Sequence, residues 1–182
     1  MRVLKPRETH RLVAALGAFV AAMAVAGCTA ASSGMHGSRA ELYDSISALA
    51  AASTNVVLVT VDEQEIVGKE AATVTQSTIR VDDVLSPASL RSNPSQEGVE
   101  KLSVGDVASV VQLGSVDLSA TPAPILAVGK QYLLFLGAPS DSGAYWISGG
   151  DAGIFVPDRT GFHQVQDSED SFPTAITLED LR

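Results

Sequence analysis

The chain has 182 residues, one cysteine and a formal net charge of −9 at pH 7. Because four of its 12 basic residues and one of its 21 acidic residues lie within the first 27 positions, the remainder has eight bases against twenty acids, a net charge of −12. That balance repels phosphate backbones and anionic lipid headgroups and argues against a nucleic-acid partner, while a single cysteine excludes an internal disulfide framework.

The first 28 residues have the arrangement of a cleaved export signal. Four basic residues lie between positions 2 and 11, and residues 12–27 form an uncharged run of 16 residues that ends at Cys28. A membrane-spanning helix needs about 20 predominantly apolar residues, and the sequence that follows Cys28 is small and polar. The pattern therefore favours a signal peptide that is removed over a helix that spans the membrane.

The processing site, Val25-Ala26-Gly27-Cys28, resembles the lipobox of bacterial lipoproteins. The resemblance implies cleavage between Gly27 and Cys28 and a diacylglyceryl group on the thiol of Cys28. Two acyl chains are enough for durable anchoring. We therefore expect Cys28 to hold the chain on the extracytoplasmic face of the cell membrane, after removal of residues 1–27. The alternative is an ordinary secretory signal, or an N-terminal membrane anchor, in which Cys28 is incidental.

A tether and a helix are expected between the signal and the body of the protein. Residues 28–37 are rich in Ser, Ala and Gly, which is typical of a flexible tether. Ser38-Arg39-Ala40-Glu41 has the Ser-x-x-Glu spacing of a capping box. Apolar residues follow at helical spacing, so the sequence predicts a short helix within residues 38–53.

From Asn55 onward the chain consists of β-branched runs divided by Gly, Pro, Asp and Ser, which is typical of strands and turns. The continuous apolar run 56–61 predicts a strand that is buried on both faces. The acidic segment 62–65 after it is expected to be a turn or a loop. Further strands are predicted at residues 72–85, 107–113, 132–136, 144–147, 153–156 and 162–165.

Five to seven short strands behind one helix predict a mainly β domain over residues 54–166. The expected form is a small antiparallel barrel, OB-like and closed or partly closed; a β-sandwich is the alternative. Residues 167–182 are expected to form an acidic C-terminal tail, with a helical turn near Thr177. The length that remains after signal removal suits one domain.

The order of these segments resembles the five-stranded OB-type barrel of small bacterial exported proteins. The resemblance rests on the turn Val104-Gly105-Asp106 and on the strand that follows Gly129-Lys130. More distantly, the segments are similar to the netrin-like modules shared with tissue inhibitors of metalloproteinases. Those modules have disulfides that this chain lacks, and they inhibit proteases through a free N-terminal cysteine. An acylated Cys28 on a tether does not supply that mechanism, so the resemblance implies a fold rather than an activity.

Residue types that carry chemistry are sparse beyond the signal. The two histidines there, His36 and His163, fall short of the three or four ligands that a zinc site collects, so we expect no metal and no cofactor. His163 is interpreted as a polar strand residue. No Gly-x-Ser-x-Gly motif or phosphate-binding loop occurs. The acidic runs 62–65 and 167–170 lack the spacing of a calcium loop and are interpreted as solvated.

Tyr145 and Trp146, flanked by Gly and Ser, form the candidate binding surface. Adjacent residues of a strand point to opposite faces, so one ring can enter the core while the other is offered to a protein or a sugar. The simplest interpretation is that Trp146 is the largest residue of the core. The alternative is a recognition surface at this strand.

Three hypotheses about function follow. We favour a lipid-anchored, extracytoplasmic and non-catalytic module that binds an envelope protein or a polysaccharide. A second possibility is an envelope enzyme with a pair of hydrolytic carboxylates, which requires two acids at a set separation in a cleft. The third is a carrier of a small apolar ligand, which requires an interior cavity.

Overall fold

The computed structural model describes residues 42–68, 73–91, 98–99, 101–116, 123–165, 170 and 173–181. All of them belong to one compact unit, Ser33–Arg182. Gly27, Cys28 and residues 1–41 as a whole lie outside the described residues, and so does the capping box expected at residues 38–41.

The described residues are mainly β, and their strands form one mixed sheet with the order β5-β3-β2-β1-β4-β6-β7-β8. Neighbouring strands are antiparallel except for β3 and β5, which are parallel. A further antiparallel bridge joins Leu136 to Ile147. The segment at β5 therefore contacts both β3 and the end of β4, which curls the sheet. The strands are β1 Asn55–Val67, β2 Val74–Leu85, β3 Val107–Leu113, β4 Gln131–Leu136, β5 Tyr145–Trp146, β6 Ile154–Pro157, β7 Phe162–Gln164 and β8 Ala175–Ile176.

The helix before the sheet, α1, spans Ile46–Ala52 and is shorter than the helix predicted within residues 38–53. Residues 42–45 are not helical. The helix begins where it does because the hydroxyl of Ser45 accepts a hydrogen bond from the amide of Ala48, which satisfies one of the free amides of the first turn. A four-residue helix, α2, spans Ala88–Arg91 and follows β2.

Strand β1 continues through the acidic segment 62–65, so the prediction of a turn or loop there is wrong. Pairing with β2 persists to Val67, which lies opposite Val74. Register shifts after Leu58 and after Val61 change which side chains face inward. Gln64 then points to the inside, where its amide donates to Ser77 Oγ at 2.9 Å and to the carbonyl of Leu126 at 2.6 Å.

The sheet has an inner face, which it curls around, and an outer face, which bears α1. The inner face bears a core of apolar side chains from β1 to β6, to which Leu102 and Leu126 contribute from the connecting segments. The strand residues are Val57, Val59, Val61, Ile79, Val81, Val110, Tyr132, Leu134, Leu136, Tyr145 and Ile154. Val56 and Leu58 alternate with these residues and point to the outer face. This alternation is why the first half of β1 reads as continuously apolar.

The second core lies on part of the outer face, between the sheet and the segments that cover it. It contains Ile46, Leu49 and Ala50 of α1, Leu90 of α2, Val56, Leu133, Phe135, Ala152, Phe155, Phe162, Ile176 and Leu181. The segment 167–182, expected to be an acidic tail, thus contributes β8 and a fully buried leucine in its described part. Glu179 and Asp180 near its end are exposed, and Asp180 accepts hydrogen bonds from the amide and hydroxyl of Thr177.

Candidate binding face

The part of the outer face that α1 does not cover is the candidate functional site, and we call it the open face. Strand pairing arranges its side chains in three rows across the sheet. The rows are Val67–Val74–Leu113, then Glu65–Gln76–Val111–Trp146, then Glu63–Thr78–Ser109. Neighbouring strands are about 4.8 Å apart and neighbouring rows about 7 Å apart, so these side chains form one continuous surface.

Apolar side chains dominate one corner of the open face. Val67 is 42% exposed, Leu113 53% and Trp146 43%, and they adjoin the partly buried Val74 and Val111. Isolated exposed apolar residues are ordinary on protein surfaces, but contiguous ones mark interaction sites. This corner is therefore suited to contact with another molecule.

The parallel pairing of β5 with β3 decides which aromatic ring is exposed. Tyr145 lies opposite Val110, points inward and is only 5% exposed, whereas Trp146 lies opposite Val111 and points to the open face. The interpretation of Trp146 as a core residue is therefore wrong, and Tyr145 takes that place in the core. The binding surface predicted at these two residues reduces to Trp146 alone, since the ring of Tyr145 is buried in the inner core.

The backbone of Trp146 is held from two sides. Its register with Val111 fixes it against β3, and its carbonyl accepts a hydrogen bond from the amide of Gly137 at 2.9 Å. These contacts set where the indole leaves the sheet, beside Val111 on the open face.

Two carboxylates border the apolar corner without a counter-charge among the described residues. Glu63 and Glu65 are both exposed, and the strand residues beside them, Thr78 and Gln76, are neutral. No ion pair between either glutamate and a described basic residue is present within 4.0 Å. The open face thus combines apolar contact area with uncompensated negative charge.

The basic side chain of the next row, Arg80, lies between Thr60 and Val107 and is already paired. Its NH1 group lies 2.8 Å from Asp82 Oδ1 and its Nε lies 3.5 Å from Asp62 Oδ2. Asp82 Oδ2 also accepts hydrogen bonds from Thr60 at 2.6 Å and from Gln131 at 2.9 Å. Burial alone would raise the pKa of Asp82, but these hydrogen bonds and the charge of Arg80 outweigh it and lower the pKa. The charge of Arg80 is therefore engaged by two carboxylates.

The other residues singled out by sequence do not converge on a site. His163 Nδ1 lies 3.5 Å from Asp158 Oδ2, at the surface. Hydrogen bonds from the amide and hydroxyl of Thr160 and from the amide of Gly161 lower the pKa of Asp158. Within the described ranges, no three His, Cys, Asp or Glu side chains form a group that could hold a metal ion. In the same part of the chain, no helix is long and apolar enough to cross a membrane.

Sequence reasoning missed the aliphatic half of the open face. Val67, Val74 and Leu113 lie on three different strands, and none stands out in the sequence. The alternation of β3 does place Val111 and Leu113 on one face. Their proximity to Trp146 depends on a parallel pairing between distant segments, for which the sequence carries no local signal.

Comparisons of the chain with protein-family models, with curated proteins and with solved structures gave no match. The function is therefore argued from the chemistry of the open face. That face offers an indole ring, aliphatic side chains and two carboxylates, which are groups suited to holding a partner by contact.

Proposed function

We propose that the chain is a lipid-anchored, extracytoplasmic module that binds an envelope component through its open face and performs no chemistry on it. The observation that carries this proposal is the exposed indole of Trp146 beside Val111 and Leu113. Trp is the residue type most enriched among those that dominate binding energy at protein interfaces. A large exposed ring next to aliphatic side chains costs solubility, which favours a functional reason for its exposure.

The proposed fold of the module is an OB-like barrel formed by β1 to β5. Three pairings support it: β4 returns to β1, β5 runs parallel to β3, and Ile147 bridges to Leu136 at the end of β4. Ligands of OB barrels bind across the face of strands two and three and the adjoining loops. The open face spans β2 and β3, and β6 to β8 extend the sheet from β4 beyond the five strands of such a barrel.

The proposed anchor is the diacylated thiol of Cys28. The lipobox Val25-Ala26-Gly27-Cys28 supports it, because small residues precede the cysteine and an uncharged run precedes them. The 14 residue-to-residue steps from Cys28 to Leu42 span at most about 50 Å. An anchored domain would therefore remain within that distance of the membrane surface, and its partner must be within its reach.

A general-acid role is disfavoured for the hydrogen-bonded carboxylate of Asp82 on the outer face. Asp82 is held by Thr60, Gln131 and Arg80, and its pKa is lowered. A general acid needs a raised pKa so that it is protonated at the working pH. Asp82 has the opposite property, and its lone pairs are already used by donors of its own chain.

The anchor is tested by mass spectrometry of the mature N-terminus. The expected species begins at Cys28 and carries the mass of the acyl groups, and the Cys28→Ala variant is expected to yield no such species. An intact precursor with an unmodified Cys28 would overturn the anchor while leaving the binding face in place.

The binding role is tested by crosslinking in detergent-solubilised envelope, followed by recovery of the full chain. The wild type and the Val165→Ser control are expected to recover the same partner, and the Trp146→Ala/Leu113→Ser variant is expected to lose it. Val165 is a suitable control because it is 39% exposed, close to the 42% of Val67, yet follows β7 and lies off the open face. Equal recovery by all three chains would contradict the proposal.

A further inference from the structure

We propose that the partner held on the open face is a basic, extended polypeptide segment, with apolar side chains on Trp146 and Leu113 and Lys or Arg side chains against Glu65 and Glu63. This inference rests on the proposed binding function and names the chemistry of the partner. It follows from three features of the face: its charge, its apolar corner and the spacing between the two.

The negative charge of the open face favours a partner with positively charged side chains. Glu63, Glu65, Asp62 and Asp82 lie on or beside the rows, and the single guanidinium among them, Arg80, is engaged by Asp62 and Asp82. The two glutamates remain uncompensated among the described residues. A phosphate backbone or an anionic headgroup would be repelled here, whereas a lysine or arginine gains an ion pair.

The apolar corner requires that the same partner also carry aliphatic or aromatic side chains. Val67, Val74 and Leu113 form one row, and Val111 and Trp146 end the next row. These five side chains are contiguous and are removed from water only when covered. A polypeptide supplies both apolar and cationic side chains on one strand, at regular intervals.

The spacing specifies the pattern of the partner. From Trp146 to Glu65, one row crosses three strand spacings, which is about 14 Å at roughly 4.8 Å each. An extended peptide rises about 3.4 Å per residue and directs alternate side chains to one side. A basic residue about four positions from the apolar anchor therefore reaches Glu65, with a second apolar side chain between them.

The experiment uses the full chain in detergent micelles and the peptide Leu-Ser-Leu-Ser-Lys-Ser-Lys. When this peptide is extended, its two leucines and then its two lysines lie on one side, and its serines lie on the other. Trp146 is the only tryptophan of the chain, so its fluorescence reports on the open face alone. Binding of the peptide is expected to shift the emission of Trp146 to the blue and to protect it from quenching. Three matched peptides serve for comparison. Both lysines are replaced by glutamine in the first and by glutamate in the second, and in the third they are moved to the other side of the extended peptide.

Affinities of the variants are measured by anisotropy of the labelled peptide, since Trp146→Ala removes the intrinsic signal. Trp146→Ala is expected to weaken binding about 30-fold, as for an interface hot spot. Glu63→Gln/Glu65→Gln is expected to weaken it about tenfold at low salt, with loss of most of its salt dependence. Glu179→Gln serves as the charge control, because Glu179 is exposed and lies near the C-terminal end of the described chain.

The outcomes separate this inference from the proposed function. Preference for the lysine peptide over the glutamine peptide, lost in Glu63→Gln/Glu65→Gln and kept in Glu179→Gln, supports the inference. If the lysine and glutamine peptides bind equally well and both require Trp146, the inference of a basic partner is overturned. The proposed binding role of the open face then still stands. If no peptide changes the emission of Trp146, the inference fails, and the crosslinking recovery alone then decides the proposed function.

Discussion

The outer face of the sheet has two parts that are built from the same strands and differ in what lies above them. In the covered part, Val56, Leu133 and Phe135 are completely buried under α1 and the C-terminal segment. In the open part, farther along β1 and across β2 and β3, Val67 and Leu113 are about half exposed. Both parts contain aliphatic and aromatic residues, so residue type alone does not decide burial. Burial is decided by whether another segment of the chain returns over the strand.

Three separate segments supply the cover. Leu49 of α1, Leu90 of α2 and Leu181 near the C-terminus all pack on the covered part. These segments precede the sheet, interrupt it and follow it, and they converge on the same part of its outer face. Trp146 is exposed because it lies on the open part, over which no covering segment of the described chain packs.

The largest expected effect comes from an aromatic residue of the covered part. Phe135 is fully buried, with its ring 5.8 Å from that of Phe155, so Phe135→Ala is expected to lower the free energy of unfolding by about 3–5 kcal/mol. Trp146→Ala, in the open part, is expected to lower it by only about 1 kcal/mol, because 43% of the residue is already exposed. Urea titration followed by circular dichroism measures both, and equal losses would remove the distinction between the two parts.

The C-terminal cover is tested by two leucines that are close in sequence. Leu181 is 1% exposed and belongs to the outer core, whereas Leu178 is 46% exposed. Leu181→Ala is expected to lower the free energy of unfolding by about 2–5 kcal/mol, and Leu178→Ala to leave it nearly unchanged. A small and equal effect of both substitutions would restore the interpretation of this segment as a solvated tail.

A glycine tests how closely the last strand packs. A Cβ at Gly161 would overlap the carbonyl oxygen of Ile176 in β8, so Gly161→Ala is expected to cost about 1–3 kcal/mol as the strand shifts. Gly137→Ala is the control, because its Cβ would make ordinary contacts at 3.7 Å with Ser148 and Trp146. Hydrogen exchange at β7 and β8 should accelerate in the first variant only. Unchanged protection there would show that β8 is not packed as described.

The hydrogen-bonded carboxylate at the boundary between the two parts gives a pH-dependent effect. Because the pKa of Asp82 is lowered in the folded state, its ionised form stabilises the fold above the ordinary value of 3.8, and this contribution is lost as the pH falls through the lowered pKa. Asp82→Asn is expected to cost about 1–2 kcal/mol at neutral pH and progressively less in acid. Urea titrations across pH check this, with the exposed Asp141→Asn as control; a cost independent of pH would contradict the assignment.

The smallest expected effect on stability is that of an aliphatic residue in the open part. Leu113→Ser is expected to change the free energy of unfolding by less than about 0.5 kcal/mol, because the side chain is already half exposed. Binding of a neutral apolar dye to the folded chain should nevertheless fall, while Val165→Ser leaves it unchanged. A large loss of stability in Leu113→Ser would mean that this side chain is covered in the folded protein.

Most strands were predictable from the sequence, since runs such as 107–113 and 132–136 carry period-two or continuous apolar patterns. The strand over 62–65 was not, because its acidic residues are compatible with a solvated loop until the register with β2 is known. The start of α1 was also missed. Ser45 lies inside the predicted helix, but in the structure it is the N-cap of the described helix.

The candidate site was only half predictable. Adjacent aromatic residues on a strand must divide between the two faces, so one exposed ring was foreseeable. Which ring is exposed depends on the phase of β5 relative to Val110 and Val111, and that phase is set by non-local pairing. For the same reason, the row from Val67 to Leu113 could not be assembled from local patterns.

The most direct test of a binding role for the open face is site-specific photo-crosslinking in the intact envelope. A benzophenone amino acid replaces Leu113 in one chain and Val165 in another. We expect a discrete crosslinked adduct from position 113, weakened by Trp146→Ala, and no adduct of that mass from position 165. The same adduct from both positions, or no adduct from position 113, would contradict it.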